Sequence, residues 1–158
     1  MAEAAGHELT IRRVFDAPQD LVFQMWADPR NLGAWWGPRG FVAVAVDMDV
    51  APGGSWRTCI RPQDDDATEY WCSGRYQEVS PPDRLVFTFA WEQPPGTRGH
   101  ETVVTVTFAA VGDRTEMVFH QTPFETTEDR DEHESGWAEA FDDLTLHLTD
   151  VMWEGEPT

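Results

Sequence analysis

The C-terminal part of the chain has the hydrophobic pattern of one long amphipathic helix. From Thr126 to about Trp153 the apolar residues recur at spacings of three and four, which predicts one stripe of a helix formed by Trp137, Ala140, Phe141, Leu144, Leu148, Val151 and Met152. The opposite face is assigned the acids Glu132, Glu139, Asp142, Asp143 and Asp150. Thr126 and Asp129 have the spacing of a capping box, which marks the start of the helix. Gly136 costs about 1 kcal/mol relative to alanine inside a helix, so we expect another segment to approach it closely.

The residues before this helix alternate with the period of two that is typical of β-strands. Leu9, Ile11 and Phe15 indicate a first strand, and six further strands are predicted over residues 41–49, 55–61, 68–79, 84–91, 102–109 and 115–121. Between the first two strands, Ala17 and Pro18 open a short helix, and a second helical turn leads to a loop at 35–38. The two tryptophans of that loop are expected to plug one end of the core.

The inward faces of the strands follow from the alternation. They carry Trp56, Thr58 and Ile60, then Leu85, Phe87, Phe89 and Trp91, then Val104, Val106 and Phe108, and finally Met117, Phe119 and Gln121. Consecutive strands with short connections predict an antiparallel meander packed on the helix, which is an α+β fold. At 158 residues, without a linker or repeat, the chain is expected to be one domain with its core over residues 8–150.

The charge of the chain removes several classes of function. A formal net charge of −18 argues against binding to nucleic acid or to an anionic membrane, since either needs a clustered positive surface. All eleven basic residues are arginine, so chemistry that needs a lysine amine is excluded. No segment has the length of a membrane span or the pattern of a signal peptide, so a cytoplasmic location is expected. The acidic helix face is either a solvated surface or a docking site for a basic partner.

The candidate chemical groups are few and scattered. Cys59 and Cys72 are expected to be free thiols. The three aspartates at 64–66 lack the alternating spacing and the turn glycine of a calcium loop, and the histidines have no metal-ligand spacing, so neither metal nor cofactor is predicted. His133 is the one candidate for a general base near a cavity, and a structural histidine is the alternative. We predict no catalytic residue.

Several short segments resemble one family. They are 13–18 (RVFDAP), 35–38 (WWGP), 52–57 (PGGSWR), 74–76 (GRY), 81–87 (PPDRLVF) and 136–137 (GW), in this order over about residues 9–148. The chain thereby resembles the START-like (SRPBCC) proteins related to the activator of Hsp90 ATPase. This resemblance implies a helix-grip fold, in which a curved antiparallel sheet wraps around the last helix. Proteins of the superfamily include lipid carriers, polyketide cyclases, antibiotic-sequestering proteins and a co-chaperone domain, so the fold alone does not choose a function.

The aromatic residues that point inward suggest a ligand cavity between the sheet and the helix. The predicted ligand-binding residues are Trp56, Tyr70, Phe87, Phe89, Trp91, Phe119, Gln121, Trp137 and Phe141. The leading hypothesis is non-catalytic binding of an apolar or aromatic small molecule. The alternatives are a cyclase or hydrolase that acts on a polyketide-like substrate, and a protein that activates an Hsp90-type chaperone ATPase through its surface. A homodimer through an exposed strand edge is a further expectation.

Overall fold

The computed structural model of the chain describes residues 7–65, 67–92, 94 and 96–155. One expectation concerns a residue outside these ranges, the third aspartate of the acidic loop, Asp66. The described elements are β1 (His7–Phe15), α1 (Gln19–Ala27), α2 (Pro29–Leu32), β2 (Phe41–Met48), β3 (Ser55–Pro62), β4 (Tyr70–Ser80), β5 (Arg84–Glu92), β6 (Thr102–Val111), β7 (Arg114–Phe124) and α3 (Thr127–Gly155). Within the described part of the chain, no helix combines the length and hydropathy of a membrane span.

The seven strands form one antiparallel sheet in the order β1-β7-β6-β5-β4-β3-β2. The meander from β2 to β7 and the α+β helix-grip architecture are therefore confirmed. The first strand does not join the meander beside β2 but pairs with β7 at the other end of the sheet, with Ile11 opposite Phe119. Inward-facing residues of β6 and β7 are buried in alternation, as the period of two predicts.

The long helix α3 lies on the concave side of the sheet with its apolar stripe inward. Phe141, Leu144 and Leu148 are buried, whereas Met152 is 38% exposed, so the prediction that the stripe continues to Met152 is wrong. The helix begins as predicted, because the Thr126 hydroxyl accepts a hydrogen bond of 3.0 Å from the backbone N–H of Asp129.

Part of the acidic face of α3 is paired rather than free. The Asp142 carboxylate accepts hydrogen bonds of 2.9 Å from Arg13 on β1 and of 3.1 Å from Arg39, which precedes β2. The Glu139 carboxylate accepts a bond of 3.0 Å from the backbone N–H of Arg39. These contacts fasten both β1 and the 36–40 segment to the helix.

Two predicted boundaries are wrong for local reasons. Pro18 has an extended backbone conformation and caps α1, which starts only at Gln19. Strand β4 begins at Tyr70 and not at residue 68, because the Thr68 hydroxyl donates to the Asp65 carboxylate and so belongs to the preceding turn.

The core is dominated by a cluster of stacked and edge-to-face aromatic rings, which we call the aromatic cluster. Its centre is Trp26 of α1, whose ring lies within 6.4 Å, between centroids, of Trp35, Trp36, Phe87, Phe119, Trp137 and Phe141. The predicted plug at 35–38 is thus part of the core itself, since Trp35 and Trp36 are both buried. Ring pairs of this kind contribute beyond their buried area.

Gly136 does not have the role that the sequence suggested. A Cβ atom at this position would lie 3.8 Å from the Pro38 side chain, an ordinary van der Waals contact. The close approach occurs at Gly74 instead, where an added Cβ would overlap the carbonyl oxygen of Thr88 and lie 2.6 Å from Nε1 of Trp56.

Candidate functional site

One cavity of about 470 Å³ lies between α3, strands β3 to β5 and the segment that precedes β2. Its walls are Trp36, Gly37, Pro38, Phe41, Ile60, Tyr70, Cys72, Phe89, Trp91, Asp129, Glu132, His133, Gly136, Trp137 and Ala140. Six of these residues are Trp, Phe or Tyr. Cavities of this volume with mainly aromatic and apolar walls are the sites that hold small organic molecules in proteins.

The helix supplies one continuous face of the cavity. Its lining residues stand at positions 129, 132, 133, 136, 137 and 140, the spacing of one face of an α-helix, and this face is about 16 Å long. Trp137 and Ala140 at the far end are buried, Asp129 is half-buried and Glu132 is exposed. Glu132, which was predicted on the face opposite the core, is exposed but also lines the cavity. The cavity has an acidic end near the start of α3 and an apolar end farther along it.

His133 is held in one orientation by two hydrogen bonds. The indole Nε1–H of Trp91 donates to His133 Nε2 over 2.9 Å, so this nitrogen carries a lone pair and no proton. The other ring nitrogen, Nδ1, lies 2.8 Å from the carbonyl oxygen of Asp129 and must donate to it. Both ring nitrogens thus have partners in the protein, and the ring is oriented as a structural histidine. The general-base role loses its support because no free nitrogen faces the cavity.

The thiol at the inner wall is equally unsuited to nucleophilic chemistry. Burial raises the pKa of Cys72 to about 12, so the thiol remains protonated at neutral pH. Its sulfur lies 3.1 Å from the hydroxyl of Thr58, which also accepts a hydrogen bond of 3.0 Å from the indole of Trp36. Cys59 is likewise free and buried, and its neighbour Thr58 pairs with Cys72, so the two thiols lie on opposite faces of the sheet.

The structure brings four of the nine predicted ligand-binding residues to the cavity. These are Tyr70, Phe89, Trp91 and Trp137. The other five, Trp56, Phe87, Phe119, Gln121 and Phe141, are buried in the packed core and do not line it.

Specific contacts explain why some inward-facing residues lie outside the cavity. Phe119 and Phe141 are covered by the ring of Trp26, which α1 inserts between sheet and helix. Trp56 crosses β4 at Gly74 and donates its indole N–H to the carbonyl oxygen of Thr88 over 3.1 Å. Their burial leaves no room for a ligand at these positions.

Gln121 supports the cavity indirectly. Its side-chain oxygen accepts a hydrogen bond of 2.8 Å from the indole of Trp137, and its nitrogen donates over 2.9 Å to the hydroxyl of Thr102. That hydroxyl in turn donates to the carbonyl oxygen of Phe89 over 3.2 Å. Gln121 therefore fixes the Trp137 ring that forms the wall, and its own polar atoms have partners in the protein.

Several lining residues were not predicted. Trp36, Phe41 and Ile60 were assigned to the plug or to strands without a role in binding, and Asp129 and Glu132 were treated as a cap and a surface acid. Asp129 and Glu132 lie seven and four residues before Gly136 and share its face of α3, which is rotated away from the apolar stripe and was therefore not interpreted as a lining face. Among the residues that the structure describes, no three His, Cys, Asp or Glu side chains group in a way that would hold a metal ion.

The chain was compared with known proteins. A family model described as "Activator of Hsp90 ATPase homolog 1-like protein" matches residues 16–149. No curated protein matches the sequence. Among solved structures, the AHSA1 protein from Silicibacter pomeroyi is 26% identical with a TM-score of 0.83, and the match covers 90% of this chain and 98% of that one.

Two further solved structures have the same fold. A protein from Arthrobacter aurescens is 24% identical with a TM-score of 0.81, over 95% of this chain and 90% of its own. Protein CV1439 from Chromobacterium violaceum is 21% identical with a TM-score of 0.79, over 89% of this chain and 96% of its own. The family model spans most of the chain and agrees with the helix-grip architecture, so the chain belongs to the family of activator of Hsp90 ATPase homolog 1-like proteins.

Proposed function

We propose that the protein binds a small apolar or aromatic molecule in the cavity between the sheet and α3 and releases it unchanged. The observation that carries this proposal is the cavity of about 470 Å³ walled by six Trp, Phe and Tyr rings. Its volume lies within the range of roughly 300–1,000 Å³ that is usual for small-molecule sites. Tyr70, Phe89, Trp91 and Trp137 form the walls that the ligand contacts, and lipid-like or polyketide-like bodies have a suitable chemistry.

Two observations favour binding over catalysis. Both ring nitrogens of His133 are engaged, and the thiol of Cys72 is protonated because its pKa is raised to about 12. A cyclase or hydrolase needs a titratable group that is free to exchange a proton with the substrate. The two charged groups of the cavity, Asp129 and Glu132, are half-buried and exposed, respectively, at its acidic end.

A role as an activator of a chaperone ATPase is the second candidate, favoured by the description of the family model. Such a role needs a surface that recognises the partner. Three of the arginines that could contribute to it, Arg13, Arg39 and Arg130, are engaged by acids of α3. Stimulation of ATP hydrolysis by an Hsp90-type chaperone, measured with and without the protein, tests this candidate directly.

The binding proposal is tested with pyrenemethanol, a neutral aromatic probe. We expect the probe to quench tryptophan emission and to raise the melting temperature, since a ligand that binds only the folded state stabilises it by RT ln(1 + [L]/Kd). The variant Gly136→Leu places a large side chain on the cavity face of α3 and should weaken binding by about fivefold or more, because overpacking a site costs about 1 kcal/mol or more. Gly136→Ala is the matched control and should bind as the wild type does.

The proposal fails if pyrenemethanol, fatty acids and flavonoids all leave the melting temperature unchanged. It also fails if the probe binds equally well to Gly136→Leu, since binding would then occur elsewhere. Stimulation of the chaperone ATPase in the same preparation would make the surface interaction the better account.

A further inference from the structure

The charged groups around the cavity have one sign. Among the described residues that line it, the charged side chains are Asp129 and Glu132, three residues apart on the same face of α3. Other acids of this helix, Asp131, Glu134 and Asp142, make the salt bridges that its described residues form with arginine. Within the described part of the chain, neither carboxylate at the cavity is paired with an arginine, so both are available to a ligand.

The indole N–H groups of the walls are already used. The three indole N–H groups donate to protein acceptors, from Trp36 to Thr58, from Trp91 to His133 and from Trp137 to Gln121. An anionic ligand would thus find no indole donor for a carboxylate or phosphate, and it would meet two like charges at the acidic end. Leaving an anion without a partner in a partly buried site is costly.

The same walls suit a cation. Aromatic ring faces attract ammonium and guanidinium groups, and the attraction increases where water is excluded. Trp91 on β5 is half-buried and reaches the helix turn that carries the two acids, because its indole donates to His133. Tyr70 on β4 is an exposed residue of the same cavity wall. A ligand with an aromatic ring and a cationic group would place the ring against Trp137 and Phe89. Its cationic group would then lie near Asp129 and Glu132.

We infer that the ligand of this cavity is an aromatic or amphiphilic molecule that carries a positively charged amine or guanidinium group. This inference rests on the proposed function and narrows it to one chemical class. Along the cavity face of α3, the acidic residues 129 and 132 would contact the cationic group of the ligand. The residues 136, 137 and 140 would contact its apolar part.

Three probes with the same ring system test the inference. Pyrenemethylamine is cationic at neutral pH, pyrenemethanol is neutral and pyrenecarboxylate is anionic. We expect the amine to bind about fivefold or more tightly than the alcohol, as one partly exposed ion pair and one cation–π contact allow, and the carboxylate to bind most weakly. In about 1 M NaCl the preference of the amine over the alcohol should shrink, since screening acts on the charge and not on the ring.

Variants that replace one acid by its neutral amide test which carboxylates bind the amine group of the probe. Asp129→Asn and Glu132→Gln should each weaken the amine about threefold and leave the alcohol unchanged. The matched control is Glu128→Gln, which removes the same charge from the same helix turn at an exposed position outside the cavity. It should reduce the amine affinity less than either cavity variant does.

The outcomes separate the two proposals. If pyrenemethanol binds and pyrenemethylamine binds no more tightly, or if Glu128→Gln acts as strongly as Asp129→Asn and Glu132→Gln, the cation inference is wrong while the binding function stands. Tighter binding of pyrenecarboxylate would also overturn it. If none of the three probes binds, both the proposed function and the inference are wrong.

Discussion

Glu92, at the end of β5, is a carboxylate that the fold encloses on the face of the sheet away from the cavity. Its side chain is 3% exposed and lies 2.9 Å from the guanidinium of Arg57, which also stacks on Trp71 at 4.0 Å from the ring centroid. A further hydrogen bond of 2.8 Å comes from the backbone N–H of Gly96. Hydrogen bonding by Arg57 lowers the pKa of Glu92 from 4.5 to about 2.

The lowered pKa of Glu92 predicts the direction in which acid changes the free energy of unfolding. Because the folded state favours the charged carboxylate, its contribution to stability is complete above about pH 4.5 and is lost as the pH falls toward 2. Glu92→Gln should lower the free energy of unfolding by about 1 to 2 kcal/mol at neutral pH and flatten its decline between these pH values. Denaturant titrations at several pH values measure both effects.

The control for this prediction is Glu78→Gln. Glu78 pairs with Arg84 over 3.1 Å, but both side chains are more than 40% exposed, so we expect a change of less than about 0.5 kcal/mol. Equal losses in the two variants would show that the enclosed pair contributes no more than a surface pair.

Gly136 provides a second prediction at the scale of one residue. An alanine there gains helix propensity, and its Cβ would meet only the Pro38 side chain at 3.8 Å. Gly136→Ala should therefore raise the free energy of unfolding by about 1 kcal/mol. A loss of stability in urea unfolding would instead mean that the glycine serves the close approach that the sequence suggested.

The sequence predicted which side chains point inward from the strands, but it did not predict which of them line the cavity and which lie in the packed core. Phe89 and Phe119 both point inward from strands, and periodicity cannot distinguish them. The difference between them comes from Trp26, which packs on Phe119 with centroids 6.1 Å apart and fills the space that a ligand would need. Since Trp26 belongs to a short helix far away in sequence, its position depends on tertiary packing and not on the local pattern.

At the scale of elements, the crossing of Trp56 over β4 is the tightest local constraint that we find in the sheet. Gly74 pairs with Trp56 and leaves the gap through which the indole reaches the carbonyl oxygen of Thr88. Any side chain at this position must displace either the ring or the neighbouring strand β5.

Gly74→Ala should lower the free energy of unfolding by more than about 2 kcal/mol, because the added Cβ overlaps backbone that cannot move without breaking the pairing of β4 and β5. Urea unfolding of Gly74→Ala beside Gly136→Ala makes the comparison, since the same chemical change is expected to have opposite signs. A small effect of Gly74→Ala would show that the Trp56 side chain relocates at little cost.

The order and type of the elements followed from the sequence because alternation and the 3.6-residue period are local signals. The helix α3 shows where this reasoning stops. Its stripe was predicted from apolar residues alone, so Asp129 was interpreted only as a capping residue and Glu132 as a residue of the opposite face, and neither was assigned to the cavity. Polar residues that line a cavity cannot be identified from the hydrophobic pattern, and they are recognised only when the cavity beside them is known.

For the whole molecule, the net charge of −18 has a consequence for stability. Repulsion among the acids is screened over a Debye length of about 10 Å at 0.1 M salt, and only part of the acidic surface is paired with arginine. We expect the melting temperature to rise by about 3 °C or more from about 0.02 M to about 1 M NaCl. Calorimetry at several salt concentrations measures the change.

Screening should produce most of this rise at low salt, whereas exclusion of salt from the surface acts in proportion to its concentration. Sucrose, which has no charge, is the control for the second effect. If the melting temperature does not change with salt, the arginines already compensate the acids.

The whole fold was predicted except for the place of β1. Short connections indicated the neighbours from β2 to β7, but no short connection links β1 to β7, whose pairing spans more than 100 residues of sequence. The position of β1 is a tertiary feature, and Arg13 of this strand contacts α3 at Ala138 and Asp142.

The aromatic cluster also has an optical consequence. The rings of Trp26, Trp35 and Trp36 lie 4.8 to 6.4 Å apart between centroids, and Trp36 lies 5.2 Å from Trp137. Indoles this close, held at fixed angles, share their excited states, so their transitions couple into paired bands of opposite sign in the circular dichroism spectrum. The coupled signal belongs to the cluster as a whole. It therefore distinguishes a change in packing anywhere among these rings from the simple loss of one chromophore.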